Sequence, residues 1–128
     1  MLTVLPIQSK DEQRELCNTC SVDFIENAFA YRADDGQFIG ICQFTFENDC
    51  GYIKNLSYAP SIVDNEAMII MLRAAMSFML RCGIEHSYIE NNATTDTLLR
   101  LSGYKADSNG KYYCNLDKFY NTPCNSRS

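Results

Sequence analysis

Apolar and polar positions alternate through much of the first half of the chain and change to a helical rhythm beyond Pro60. Leu2 to Ile7 alternates as a short strand. Ser9 followed by Glu12 has the form of a capping box, which predicts a helix to about Cys20 with Leu16, Cys17 and Cys20 on its inner side. Phe29, Tyr31 and Ala33 alternate again as far as Asp35-Gly36, a hairpin turn, and the return strand covers Gln37 to Phe46. A second turn at Asn48 to Gly51 leads into a strand from Tyr52 to Tyr58, which Pro60 ends. Asp64 then caps a helix over Asn65 to Arg81 that stops at Gly83. Glu85 to Glu90 reads as a strand and Thr94 to Ser102 as a short helix ending at Gly103. Asn109-Gly110 turns a last hairpin between Tyr104 to Ala106 and Lys111 to Leu116. The predicted order is β-α-β-β-β-α-β-α-β-β, an α/β (α+β) fold. It requires a mostly antiparallel twisted sheet with a central parallel β-α-β crossover. Residues 1–120 form one expected domain, and 121–128 a short polar tail.

The helix from Asn65 to Arg81 is apolar almost all round, so it needs cover on more than one side. A second copy of the chain, in a homodimer, is one expected source of that cover. Met68, Met71, Met76 and Met79 fall where a packed core is expected rather than an adaptable surface. Composition changes this picture little: 46% hydrophobic and 21% charged residues describe an ordinary globular chain of 128 residues. Charge adds more. The net charge of −5, with scattered basic residues, argues against nucleic acid as a partner. A membrane span is not expected either, because Ala67 to Leu80 is broken by Arg73 and Ser77 and falls short of the ~20 residues needed. The opening residues lack a basic start and a long apolar core, which predicts a cytoplasmic protein with reduced thiols at its seven cysteines. Cys17 and Cys20 form a CxxC without a second pair, at the end of a helix instead of its start. Core cysteines are the expectation there, with no metal site, and the lone His86 is expected to be structural or exposed.

Across residues 2–118 the element order resembles the GNAT superfamily, the acetyl-CoA-dependent N-acetyltransferases. Ile53-Lys54-Asn55-Leu56-Ser57-Tyr58-Ala59-Pro60 is similar to that family's fourth strand, I-x-x-L-x-V-x-P. Asn92 and the run from Thr94 to Gly103-Tyr104 resemble its later N…LY-x-x-x-GF segment. The resemblance implies a wedge between the fourth and fifth strands, where backbone groups of Leu56, Ser57 and Tyr58 hold the pantetheine arm of acetyl-CoA. It also implies a pyrophosphate loop, R/Q-x-x-G-x-G/A, at the start of the following helix. The cofactor positions so implied are Asn65, Glu66, Ala67 and Met68, together with Asn92.

This sequence departs from the family pattern at chemically informative places. Val63 stands at the Arg/Gln position, and Glu66 and Met68 stand at the two glycines. Asp64 and Glu66 suit a helix cap but repel a diphosphate. Leu99 occupies the position where the family often has the tyrosine that protonates the leaving thiolate, which leaves Tyr104 and Tyr88 as substitutes. For the base that takes a proton from the attacking amine, Glu47 and Glu90 are the candidates, each at a strand end. Tyr112-Tyr113 places one ring on each face of its strand, so one of the two can line the wedge. Two functions follow. One is an N-acetyltransferase moving an acetyl group from acetyl-CoA to a small-molecule amine; the other is a non-catalytic binding or assembly protein that has lost CoA binding.

Overall fold

The computed structural model describes residues 1–90, 96–107, 109 and 111–121. Its elements are β1 (Thr3–Pro6), α1 (Lys10–Thr19), β2 (Phe29–Asp34), β3 (Phe38–Glu47), β4 (Cys50–Tyr58), α2 (Asn65–Arg81), β5 (His86–Glu90), α3 (Asp96–Ser102), β6 (Lys105–Ala106), β7 (Lys111–Asn115) and α4 (Leu116–Asn121). One seven-stranded sheet runs in the order β1-β2-β3-β4-β5-β7-β6. Every neighbouring pair is antiparallel except β4 and β5, which α2 connects as the crossover. This is the mixed, mostly antiparallel sheet that the sequence predicts.

Local chemistry sets the boundaries. The Ser9 hydroxyl accepts the Glu12 N–H at 3.3 Å, but the Glu12 carboxylate turns to Arg32 at 2.6 Å, so the expected reciprocal box gives way to a tie between α1 and β2. Asn48 and Asp49 both take positive φ, 52° and 63°, the handedness that matches the twist of a two-residue hairpin. The Asp64 carboxylate caps α2 by accepting the Ala67 N–H at 3.0 Å, and Gly83 at φ +85° lets the chain leave the far end. The sequence reading misses α4. It extends the last strand to Leu116, whereas the Asn115 side chain accepts the Lys118 N–H at 3.0 Å and starts a helix there.

The two faces of the sheet differ. Under α2 lies the main core, in which Phe44, Met68, Met71, Leu72, Met76 and Met79 are fully buried. Two strand glycines make room for it: a Cβ on Gly51 would lie 2.4 Å from the Met79 sulfur, and one on Gly40 would lie 2.9 Å from the Met68 Cε and 2.4 Å from the Ser57 carbonyl oxygen. α3 and α4 pack on α2 from other sides, and Arg73 donates to the Leu101 carbonyl while lying over the Phe119 ring. The apolar girth of α2 is therefore met largely within the chain, with Ile70 the large apolar residue of α2 that stays exposed. Beneath α1 sits a smaller cluster of Cys17, Cys20, Ala30 and Ile41. Burial pushes the Cys20 thiol up to about 11. No helix among the described residues is long and apolar enough to cross a membrane.

Candidate functional site

Strand β4 is paired unequally on its two sides. Towards β3 it is hydrogen-bonded from Cys50, opposite Glu47, to Tyr58, opposite Gly40. The register there steps from Asn55 (opposite Gln43) to Ile53 (opposite Phe44), so Lys54 is an extra, bulged residue. Towards β5 the pairing starts at Cys50–His86 and stops at Ile53–Ile89. Beyond the bulge, Asn55 to Tyr58 have no β5 partner among the described residues. The described β4–β5 pairing thus ends at Ile53–Ile89, the closed end of the wedge that the resemblance implies, with Asn55 to Tyr58 as its β4 arm. Of the positions expected to present backbone groups, Ser57 faces β3, as does Ala59, whose N–H donates to the Ile39 carbonyl at 2.8 Å, while Leu56 and Tyr58 turn theirs to the other edge of β4.

At the mouth of the wedge the start of α2 is already occupied by its own side chains. Asp64 takes the Ala67 amide, and the Tyr58 hydroxyl donates to Asn65 Oδ1 at 2.6 Å. Burial pushes the Tyr58 phenol above its ordinary range. Glu66 is exposed in the first turn, and the Ala67 and Met68 side chains point into the core. Between Lys54 and Arg73 the sequence has no Lys, Arg or His. A helix N-terminus favours an anion by ~0.3–1 kcal/mol. Two carboxylates at ~4–6 Å oppose it by about 1 kcal/mol each near a solvated surface.

On the face of the sheet away from α2, the closed end carries a row of rings. Tyr52 and Tyr88 stack at 5.5 Å across the last pairs of β4 and β5, and Tyr88 meets Tyr113 of β7 at 5.1 Å. His86 Nδ1 and the Tyr113 hydroxyl are hydrogen-bonded at 2.7 Å. A cleft of about 60 Å³ opens there, lined by Tyr52, Ile53, Lys54, Tyr88, Ile89 and Lys111. Because Lys54 is bulged, its ammonium lies 5.4 Å from the Tyr52 ring centre and 3.4 Å from Glu47 Oε2. Thr45 donates to the same carboxylate oxygen at 3.1 Å. Glu47 is thus held beside the closed end of the wedge, as a half-exposed carboxylate.

The other expected residues fall elsewhere. Tyr104 is enclosed at 1% exposure, its hydroxyl 2.6 Å from Ser87 Oγ, and burial raises its phenol pKa. Enclosure and that partner remove it from the cleft, which leaves Tyr88, of the two expected substitutes, beside the closed end of the wedge. Leu99 is fully buried. Glu90 ends β5 opposite Lys111 in register. Asn92 lies outside the described residues. Of the expected tyrosine pair, Tyr112 is buried and Tyr113 joins the ring row. Sequence reasoning missed Lys54 and Lys111, and also a buried amide network behind the wedge. There Gln43 Nε2 donates to Asn55 Oδ1 at 2.6 Å and to the Asp23 carbonyl at 2.8 Å, while Gln43 Oε1 accepts from Gln13 Nε2 at 2.8 Å. A glutamine inside the apolar run Phe38–Glu47 is the signal that could have revealed it.

No protein-family model and no curated protein matches this chain in sequence. Solved structures do match it in fold. A Bacillus subtilis acetyltransferase in complex with CoA is 13% identical, covers 90% of this chain and 99% of its own, and superposes with a TM-score of 0.70. A GNAT-family acetyltransferase from Brucella melitensis in complex with acetyl-CoA is 13% identical, with coverage of 90% and 88% and a TM-score of 0.67. An IAA acetyltransferase from Bacillus cereus is 16% identical, with coverage of 84% and 79% and a TM-score of 0.69. The chain has the GNAT fold.

That fold implies coenzyme A, and the residues present fit it unevenly. The open arm of β4 offers backbone groups to a pantetheine chain. The start of α2 does not suit a diphosphate, because Asp64 already accepts one of its amides and adds negative charge where the group would sit.

Proposed function

We propose that the protein is an N-acetyltransferase that takes the acetyl group of a pantetheine thioester, acetyl-CoA serving as the assay donor, and passes it to a small-molecule amine. The observation that carries this reading is the end of β4–β5 pairing at Ile53–Ile89, beside the Lys54 bulge, with Leu56 and Tyr58 turned to the edge of β4 away from β3. An extended arm laid there would hydrogen-bond like an added strand, and the Tyr58 N–H, on the edge of β4 away from β3, is the backbone donor to polarise a thioester carbonyl; Ser57 faces β3. The amine approaches from the ring-lined cleft. There Glu47 is the residue to take its proton, and the Lys54 ammonium keeps that carboxylate in place. Tyr88 is the phenol to return a proton to the departing thiolate. Neutral attack is aided by Lys54 and Lys111, because nearby positive charge disfavours the ammonium form of a bound amine.

The test is release of free thiol from millimolar acetyl-CoA in the presence of an amine panel, with product identified by mass spectrometry. Glu47→Gln should lower kcat by about 10²-fold or more while leaving the thermal midpoint near its starting value. No transfer to any amine from acetyl-CoA or acetyl-pantetheine, together with no thermal shift from either donor, would remove this reading. A second reading, a binding or assembly protein without catalysis, is favoured by one specific observation: the Asp64 cap fills the helix end where a bound diphosphate would be held. That outcome would then stand.

A further inference from the structure

The wedge and the helix end beside it make opposite demands on a donor. We propose that the donor site reads the pantetheine arm alone and discriminates against the nucleotide diphosphate beyond it, so that its preferred donor is an acyl-pantetheine lacking a pyrophosphate. The proposal rests on the acyl-transfer reading above and deepens it by naming the donor class.

Four observations carry it. Beyond Ile53–Ile89, Leu56 and Tyr58 turn their backbone groups to the edge of β4 away from β3, where an uncharged amide chain can hydrogen-bond. Asp64 Oδ1 accepts the Ala67 N–H at 3.0 Å, which leaves only the first amides of the turn for an outside anion. Glu66 adds a second, exposed carboxylate in that turn. Compensating charge is missing from the adjoining sequence: 55–72, from the β4 arm into the first turns of α2, holds no Lys, Arg or His. A phosphate placed there loses amide partners to Asp64 and gains two like charges.

The experiment compares acetyl-pantetheine, acetyl-4′-phosphopantetheine and acetyl-CoA by isothermal titration at low and high salt. It uses the intact chain and the double variant Asp64→Asn with Glu66→Gly. Asparagine keeps the cap while removing its charge. The expected result is that the intact chain binds acetyl-pantetheine at least as tightly as acetyl-CoA. In the variant, affinity for acetyl-CoA should rise about tenfold or more while that for acetyl-pantetheine stays put. High salt should narrow the difference between donors in the intact chain. An intact chain that binds acetyl-CoA tenfold more tightly than acetyl-pantetheine overturns the proposal and leaves the acyl-transfer reading standing. Binding of none of the three overturns both. The comparison in the intact chain decides even if the variant does not fold.

Discussion

The two faces of the sheet are built on different principles. Beneath α2 the contacts are apolar and continuous: methionines fill the space left by Gly40 and Gly51, and Phe29, Phe44, Phe46 and Phe78 interlock at centroid distances of 5.1–6.1 Å. On the opposite face, α1 covers a small thiol-rich cluster, an amide network ties the 20–28 segment to β3 and β4, and the tyrosine row beside the wedge is left half-open. Dispersion and apolar burial have no direction, so the first face secures the fold whatever the fine geometry. Hydrogen bonds have direction, so the second face fixes positions at the wedge with few apolar contacts.

The largest expected effect lies on the apolar face. Phe44→Ala should cost about 3–5 kcal/mol, read as a lowered urea midpoint at constant slope; a cost below about 1 kcal/mol would show that the neighbouring rings collapse into the gap. Next comes the amide network. Gln43→Leu leaves Gln13, Asn55 and the Ile25 N–H without their shared partner, at a cost of about 2–3 kcal/mol, and hydrogen exchange should speed up in 20–28 before it does in α2. Uniform exchange across both faces would erase the distinction between them.

Tyr104→Phe tests the join between the faces. At neutral pH it removes the bond to Ser87 and costs about 1 kcal/mol. Alkaline behaviour carries the sharper signal. Because the folded-state pKa of Tyr104 is raised, the unfolded chain releases that proton first, so stability falls as pH climbs above the ordinary tyrosine value of ~10. The variant should lose less of its thermal midpoint between pH 9 and 11 than the parent; equal losses would place the alkaline sensitivity in other groups. The smallest effect is expected at Lys54→Met. Its ion pair with Glu47 is exposed and contributes about 0–1 kcal/mol, so stability should barely change while the pH profile of any transferase activity moves.

The sequence makes plain those parts whose signals are local. α2 is announced by Asp64 at one end and Gly83 at the other, and the β3–β4 hairpin by Asn48-Asp49, each a position that few other residues fill as well. α4 escaped because its first residues, Leu116-Asp117-Lys118, follow a run of β-formers, and six residues are too few for a helical period to emerge. The wedge was readable up to a point. Pro60 and the apolar spacing of β4 indicate where the arm is, but the bulge that brings Lys54 to Glu47 depends on register with β3, which no single segment encodes. Tyr104 was misjudged for a related reason. A phenol looks available until its partner is known, and Ser87 lies on a strand seventeen residues away in sequence.

The close approach of Met68 to Gly40 locks the first turn of α2 onto β3. Met68 stands where the resemblance calls for a small residue, and its Cε reaches to within 2.9 Å of the space above Gly40. Replacing it with glycine would empty that space, and Gly40 could not grow to refill it because the Ser57 carbonyl lies only 2.4 Å from any added Cβ. Met68→Gly therefore lowers stability by a cavity's worth, and a side chain added at Gly40 to refill the space collides with the β4 backbone.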